Sequence, residues 1–413
     1  MNRRWLALGG VLLLAGCQTL DSAVRQADSA VNAVNSGTIK NIADIASSQD
    51  PSSALKHQAQ NRAEYYKRHP AAILDDIKTV KRDFDKLMNL LQGNVSKTWG
   101  GKEVKVPTRT QYVKYTQNYQ SRAVVDFDKG EVMVETLDEK NPEGSLDNAI
   151  VTTLLTPDDP RSVDLFSDKS ITLTGDKDPY LKGLVVDKNG RNVDTPATAE
   201  AYAKTIVATE AKHRSVDVNG VRKNALYIKI PMVSNFSNKQ AQKYSAVVNK
   251  YAARHHISPS LVYAVIRTES NFNPYAVSAA PAYGLMQLVP TSGGRDAYRK
   301  VTGSDGIPSK EYLFNSDNNI ELGTAYLNIL AFNQLEAVGN DVSREYCMIS
   351  AYNTGTGNVL KVFSANRTEA VNAINRSSPA TVYKKLRTGL PYQETRDYLK
   401  KVVDYRKQFV SIN

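Results

Sequence analysis

The stretch Ser258-Pro259-Ser260-Leu261-Val262-Tyr263-Ala264-Val265-Ile266-Arg267-Thr268-Glu269-Ser270-Asn271-Phe272-Asn273-Pro274 decides how the C-terminal half is read. Ser258 is a natural N-cap and Pro259 suits the first helical position, so a helix opens there. Val262, Val265 and Ile266 precede Glu269 by seven, four and three residues, and at 100° per residue all four share one face. An ionisable group therefore sits on the face otherwise meant for the core. A carboxyl held among apolar groups has its charged form disfavoured, so its pKa rises. It stays protonated near neutral pH and can serve as a general acid. The alternative is a partly exposed Glu at a fraying helix end. A loop rich in small and hydroxyl residues follows, through Ala276-Val277-Ser278 to Gly284-Leu285-Met286-Gln287.

Around this helix the pattern is almost wholly helical. Lys239 to His255 carries Tyr244, Val247, Val248 and Tyr251 on one face. Asn319 to Val338, Arg344 to Tyr352, Glu369 to Ile374, Ala380 to Leu386 and Gln393 to Phe409 read as further helices. Upstream, Ile73, Ile77, Val80, Phe84, Leu87 and Leu91 recur at spacings of three and four, an amphipathic helix that Gly93 is expected to end. Val124 to Glu135 reads as a hairpin turning at Asp128-Lys129-Gly130. Ile171 to Leu173, Gly183 to Val186 and Leu226 to Val233 are β-like, and Pro196 to Ala211 is a helix. The fold class is α+β: an N-terminal α+β domain over 61–235, then a mainly α-helical domain over 236–413. No catalytic constellation is evident in the first.

The first residues read as an export signal. Arg3 and Arg4 make a positive end, and Trp5 to Ala15 is an apolar run too short to span a bilayer as a mature helix. It closes on Leu14-Ala15-Gly16-Cys17, which resembles the lipobox of bacterial lipoproteins. That resemblance implies cleavage after residue 16, acylation of Cys17 and, with Gln at 18, transfer to the outer membrane. Several acyl chains on one residue would hold the protein firmly. Residues 18–60 are rich in Ala, Ser, Asn, Asp and Gln, have little to bury, and are expected to be a tether.

Composition narrows the partners. Of 413 residues, 53 are Lys or Arg and 42 Asp or Glu, a formal charge of +11. Lys239 to Asn413 holds 21 of the basic and 13 of the acidic residues, so most of the excess accompanies the Glu269 region. Such a surface favours polyanions, among them nucleic acid, anionic lipid and carboxylate-bearing glycan. The export signal disfavours nucleic acid. With Cys17 lipidated, Cys347 has no partner within the chain, and its apolar surroundings suit a buried inert thiol. The histidines, His57, His69, His213, His255 and His256, form no metal motif. There is no phosphate-binding glycine loop and no nucleophile elbow. No metal and no cofactor is expected.

Residues 239–413 resemble the catalytic domain of the soluble-type lytic murein transglycosylases, whose fold is similar to goose-type lysozyme. The resemblance rests on Glu269-Ser270-x-Phe272-Asn273-Pro274, Ser278, Gly284-Leu285-Met286-Gln287 and Asn319-Ile320-x-x-Gly323-x-x-Tyr326-Leu327. It continues in Ala351-Tyr352-Asn353-x-Gly355-x-Gly357 and Pro391-Tyr392-x-Glu394-Thr395-Arg396-x-Tyr398. With the lipobox and the α+β domain, it extends over nearly all of the mature length, to a membrane-bound member of the family.

The resemblance implies cleavage of the β-1,4 bond between N-acetylmuramic acid and N-acetylglucosamine in peptidoglycan, without water, leaving a 1,6-anhydro sugar. One Glu suffices, because the nucleophile is a hydroxyl of the same sugar, and held intramolecular attack has a high effective concentration. Most glycosidases need two carboxylates. Glu269 is then the acid and base. Ser278, Met286, Gln287, Tyr352 and Asn353 are expected around the substrate, with Met286 and Gln287 lining the groove and Tyr352 orienting Glu269 or the N-acetyl group. Ser278 reads equally as a turn hydroxyl, and Asn353 as a helix-end ligand. Gly284, Gly323, Gly355 and Gly357 are structural, and Glu321 and Glu394 are expected in helix–helix polar contacts. Thr354 and Thr356 depart from the smaller residues usual there, which leaves the shape of the groove near Tyr352 open.

Two readings compete. A lysozyme-type hydrolase would need a second acid, with Asp296, Asp305 and Glu311 the candidates. A non-catalytic lipoprotein tethering peptidoglycan is the other. Exo against endo cleavage and oligomeric state are not legible.

Overall fold

The computed structural model describes residue 69, residues 71–173 and residues 177–410. The export signal, Cys17 and the 18–60 tether lie outside the described residues. Lys86–Asn413 forms one compact unit, and the account below concerns that unit.

Its chain begins within helix α1 (Ala72–Trp99), which does not stop at Gly93 as expected. Gly93 lies on the exposed face, where a missing side chain costs about 1 kcal/mol but leaves the hydrogen-bond ladder intact. The helix ends at Gly100, which takes φ +82°. Its last turns bury Leu91, Val95 and Trp99 against Val113, Tyr115, Val124, Val216 and Ala225 of a sheet.

The sheet has five strands: β1 (Gln111–Thr116), β2 (Ser121–Asp126), β3 (Glu131–Thr136), β4 (Lys212–Val218) and β5 (Val221–Pro231). Their order is β1-β2-β3-β5-β4, antiparallel throughout. The expected hairpin is β2–β3, with Val125 opposite Val132. Every residue of β2 is buried, because α1 covers one face and helix α2 (Pro142–Leu154) lies against the other. Helix α3 (Pro196–Glu210) packs beside α2 and carries a capping box at Thr195.

Six elements escape the sequence pattern, and two apparent ones dissolve. β1 and β4 intersperse charged residues among apolar ones, α2 shows no clean stripe, and the helices Gly293–Thr302, Lys310–Phe314 and Thr356–Lys361 are short. Ile171 to Leu173 is irregular, and Gly183 to Val186 contributes a single bridge, Val186 to Asn192. A short apolar run does not by itself specify a strand: Leu184 and Val185 are buried in a loop, and Leu173 is exposed.

The helical part comprises α4 (Phe236–Lys243), α5 (Ser245–His255), α6 (Pro259–Ser270), α7 (Gly293–Thr302), α8 (Lys310–Phe314) and α9 (Ser316–Ile329). It continues with α10 (Asp341–Thr354), α11 (Thr356–Lys361), α12 (Arg367–Asn375), α13 (Pro379–Gly389) and α14 (Gln393–Gln408). The helix expected over Lys239 to His255 is broken at Tyr244, whose ring stacks on Phe272 at 6.4 Å. Beyond α9 a π turn occupies Leu330–Gln334.

Helix α6 is the axis of this part. Leu261 through Ile266 are all within 1% of complete burial, so the helix is wrapped on every side and not merely amphipathic. α5 and α14 are among its neighbours. Among the described residues, no helix is long and apolar enough to cross a membrane.

Candidate active site

Glu269 occupies the last turn of α6 and is 6% exposed. The next residues leave the helix abruptly: Asn271 takes φ +47° and Phe272 φ +62°. A bulky residue in the left-handed region is strained, and such strain collects at functional sites. Here Phe272 is held by full burial between Tyr244 and Phe409. Ser270 ties the helix end to the following loop, donating its hydroxyl to the Leu285 carbonyl at 2.8 Å.

That loop is organised by one buried side chain. Asn319 accepts from the Met286 amide at 2.8 Å and donates to the carbonyls of Tyr283 at 2.8 Å and Leu313 at 2.7 Å. Gly284, at φ +74°, passes so close that a Cβ there would meet the Asn319 amide nitrogen at 2.5 Å. A Cβ on Gly323 would meet the Met286 sulfur at 2.3 Å. Both glycines are thus required by close approach.

Burial pushes the Glu269 carboxyl up to about 7. Two influences oppose the rise: the Tyr398 hydroxyl beside it and the charge of Arg109. Tyr398 approaches too loosely for strict hydrogen-bond geometry yet near enough to favour the carboxylate. Glu394 adds to the rise. Arg109 Nη1 stands 3.9 Å from Glu269 Oε2 and 3.2 Å from Glu394 Oε1. Tyr398, buried, and Tyr352, half-buried, flank the carboxyl, and their phenols are held protonated first by desolvation and then by its charge.

The expected site residues divide. Tyr352 is brought to Glu269, but its hydroxyl donates to the Met286 carbonyl at 2.8 Å. Met286 reaches the site only by that carbonyl: its side chain is fully buried in the core, against Gly323, and does not line a groove. Gln287 is 8% exposed, at φ +47°, and its side chain folds back to donate to the Gly284 carbonyl at 3.0 Å. Its Oε1 is buried without a partner. Ser278 takes the turn role, donating to the Ala280 carbonyl at 3.1 Å and accepting from the Ala282 amide at 3.4 Å. Asn353 accepts from the Thr395 hydroxyl at 2.6 Å, which joins the end of α10 to the first turn of α14.

Thr356 turns inward. It is buried and bonds Gln334 at 2.5 Å. Glu321 makes the expected interhelical contact, with Arg254 at 2.6 Å. Glu394 does not: it is exposed and pairs with Arg109. Asp296, Asp305 and Glu311 each pair with a nearby cation, Arg299, Arg295 and Lys310 respectively. Cys347 is buried, its thiol pushed up to about 12.

Sequence reasoning missed Arg109, because it belongs to the sheet domain, in the loop before β1. A seam joins that loop to the one after α6. Asn273 donates to the Arg109 carbonyl at 3.2 Å, and the Val277 amide to the Thr108 carbonyl at 3.3 Å. Asn271 donates to the Phe127 carbonyl at 2.6 Å. Tyr275, fully buried, packs edge-on to Tyr112 and Tyr180 and donates its hydroxyl to the Pro157 carbonyl. Asn273 of the motif and its neighbours Asn271 and Tyr275 therefore serve as anchors to the sheet domain.

Both halves of the chain are similar to known proteins. Residues 77–243 match the family described as membrane-bound lytic murein transglycosylase C, N-terminal domain, and residues 246–375 match the transglycosylase SLT domain. A membrane-bound lytic murein transglycosylase C from Klebsiella pneumoniae is 43% identical over 327 residues, covering 79% of this chain and 89% of that protein. The protein of that name from Yersinia pestis is 40% identical over 326 residues, with the same coverage. The 70 kDa soluble lytic transglycosylase of Escherichia coli aligns at 29% identity over 41% of this chain and 24% of its own, with a TM-score of 0.32. By its identity to the first two over nearly nine-tenths of their length, this chain belongs to the membrane-bound lytic murein transglycosylase C family.

Proposed function

We propose that the chain is a peptidoglycan-cleaving lytic transglycosylase with Glu269 as its acid and base. Glu269 protonates the oxygen leaving C1 of N-acetylmuramic acid, and the C1–O bond to N-acetylglucosamine breaks. The C6 hydroxyl oxygen of the same muramic residue closes onto C1 and gives its proton back to Glu269. The products are a free 4-hydroxyl and a 1,6-anhydro end, with atoms and protons balanced and no water consumed. The observation that carries this is a single carboxyl, buried at the end of α6, which that burial pushes up to about 7. Family membership supports the substrate.

Tyr352 and Tyr398 frame Glu269, and Gln287 and Asn353 are assigned to contact with the glycan in this reading. Residues 1–17 serve as a lipoprotein signal ending at an acylated Cys17, and 18–60 as a tether from the outer membrane into the periplasm. Residues 61–235 and 236–413 are the supporting and catalytic domains. The word membrane-bound in the relatives' names supports the anchor.

The test is mass spectrometry of muropeptides released from purified sacculi by the protein lacking residues 1–17. Products one water lighter than hydrolysed ones are expected, and Glu269→Gln should release none while still binding sacculi. Reducing-end muramic acid would make the chain a hydrolase. Release by Glu269→Gln at a near-normal rate would remove Glu269 from its role.

A further inference from the structure

Among the described residues, Arg109 is the one charged group of the sheet domain acting on Glu269, and its position is built rather than incidental. Its carbonyl is held by Asn273, four residues past Glu269. Its neighbour Thr108 accepts from Val277 through its carbonyl and from the Gln111 amide through its hydroxyl at 3.0 Å. Its other neighbour, Thr110, accepts from the Phe127 amide at 2.9 Å and donates to Asp128 at 2.8 Å. The backbone on both sides of the guanidinium is thereby fixed in register with the end of α6.

The guanidinium itself divides its attention. It lies within 3.9 Å of Glu269, buried, and within 3.2 Å of Glu394, which is 65% exposed. A cation bound to Glu269 alone, at short range, would hold the carboxyl ionised and unable to give a proton. No cation at all would leave the carboxylate formed by proton transfer alone in a buried site. A cation shared with a second, solvated carboxylate lies between these limits.

We propose that Arg109 is a positioning residue for Glu269. Its charge, shared with Glu394, keeps Glu269 poised between its protonated and ionised forms, so that one side chain can give a proton and then take one. This rests on Glu269 being the acid and base. It gives the sheet domain a direct part in the chemistry. Among the described residues, the other titratable groups facing Glu269 are the phenols of Tyr398 from α14 and Tyr352 from α10, and neither supplies positive charge.

The test has two readouts on the full-length protein in detergent. One is the pH profile of kcat/KM on sacculi, whose alkaline limb reports loss of the acid. The other is titration of Glu269 in the free protein by infrared difference, using the protonated-carboxyl band that Glu269→Gln lacks. Arg109→Gln removes a charge that favours ionisation, so both midpoints should rise by about half to one pH unit, discounted for the partial exposure of Arg109. Glu394→Gln removes a charge that opposes ionisation, so both should fall, by about a few tenths of a unit. Arg109→Lys should restore the wild-type midpoint.

Opposite shifts in the two variants establish the shared charge. A loss of activity in Arg109→Gln with both midpoints unmoved would make Arg109 structural and overturn the inference. Shifts of the same sign in Arg109→Gln and Glu394→Gln would overturn it too. The infrared midpoints move or stay whether or not Glu269 is the acid. A fully active Glu269→Gln therefore sinks the functional reading separately.

Discussion

Two parts of this molecule bury a carboxylate beside an arginine, and they do so with different stoichiometry. In the sheet, Arg122 and Glu135 are both fully buried and meet at 2.6 Å. Arg214 reaches Glu135 at 2.8 Å and Glu103 at 2.9 Å and 3.0 Å, Glu103 also receives Arg122 at 3.0 Å, and the Arg122 guanidinium lies 3.9 Å over Trp99. Two cations close on two anions. The hydrogen bond from Arg214 is the largest influence on Glu103 and holds its carboxyl below the usual range. At the end of α6 one buried carboxyl shares one partly exposed arginine at 3.9 Å, and burial outweighs it. The chemistry of the groups is the same. The ratio of charges, the distance and the solvent decide whether a carboxylate is locked ionised or left free to take up a proton.

Breaking the closed network should have the largest effect. Arg122→Met leaves Glu135 buried with Arg214 alone, and removing one partner of a buried pair costs about 3–5 kcal/mol. Adding Glu135→Leu removes the stranded charge and should recover a good part of that loss. Urea unfolding at pH 7 measures both. A single variant as stable as the wild type would mean that the network contributes nothing.

The open site makes the opposite prediction, and its sign follows from the direction of the shift. Unfolded Glu titrates near 4.5, and Glu269 in the fold near 7. Between these values the unfolded chain has released a proton that the folded chain retains, so raising the pH costs stability until the folded pKa is passed. Glu269→Gln escapes this cost. Its advantage over the wild type should grow from about pH 4.5 to about pH 7 and then level off, at no more than about 3 kcal/mol. Paired urea midpoints at pH 4.5 and pH 8.5 read the difference. An advantage equal at the two pH values would show that Glu269 titrates normally. Glu103 behaves in mirror image: it stabilises above its unfolded pKa, and that contribution fades as pH falls.

The contrast also marks what could be read along the chain. Glu269 was legible because helical periodicity placed it on a core face, and the β2–β3 hairpin because alternation and a turn coincide within twelve residues. Both signals are local. Arg109 lies 160 residues before Glu269 in an irregular loop, where no periodicity exists and the side chain could serve anything. Met286 shows a different failure. It sits in the right loop, but its backbone turns at Gly284 and sends the side chain inward, so nearness in sequence misled. Gly93 was taken as a stop because glycine is a poor helix former, yet on an exposed face its penalty is too small to end a 28-residue helix. Tyr398 stood within a matching motif, and only the packing of α14 against α6 turned it toward the carboxyl.

The smallest effect tests the seam through which the two domains act together. Asn271 takes a left-handed conformation that glycine shares, and its side chain donates to Phe127 and, at 3.3 Å, to Asp128. Asn271→Gly keeps the backbone and deletes those bonds, leaving the Phe127 carbonyl without that donor, at a cost of about 1 kcal/mol. Asn271→Ala should cost about 1 kcal/mol more, because its Cβ disfavours φ +47°. Neither change touches Glu269 or Arg109, yet both loosen the segment that aligns them. The cleavage rate of Asn271→Gly should therefore fall several-fold at a temperature where the protein remains fully folded, and the infrared midpoint of Glu269 should drift upward as Arg109 recedes. A stability loss of that size with rate and midpoint unchanged would leave the seam a mere joint between domains.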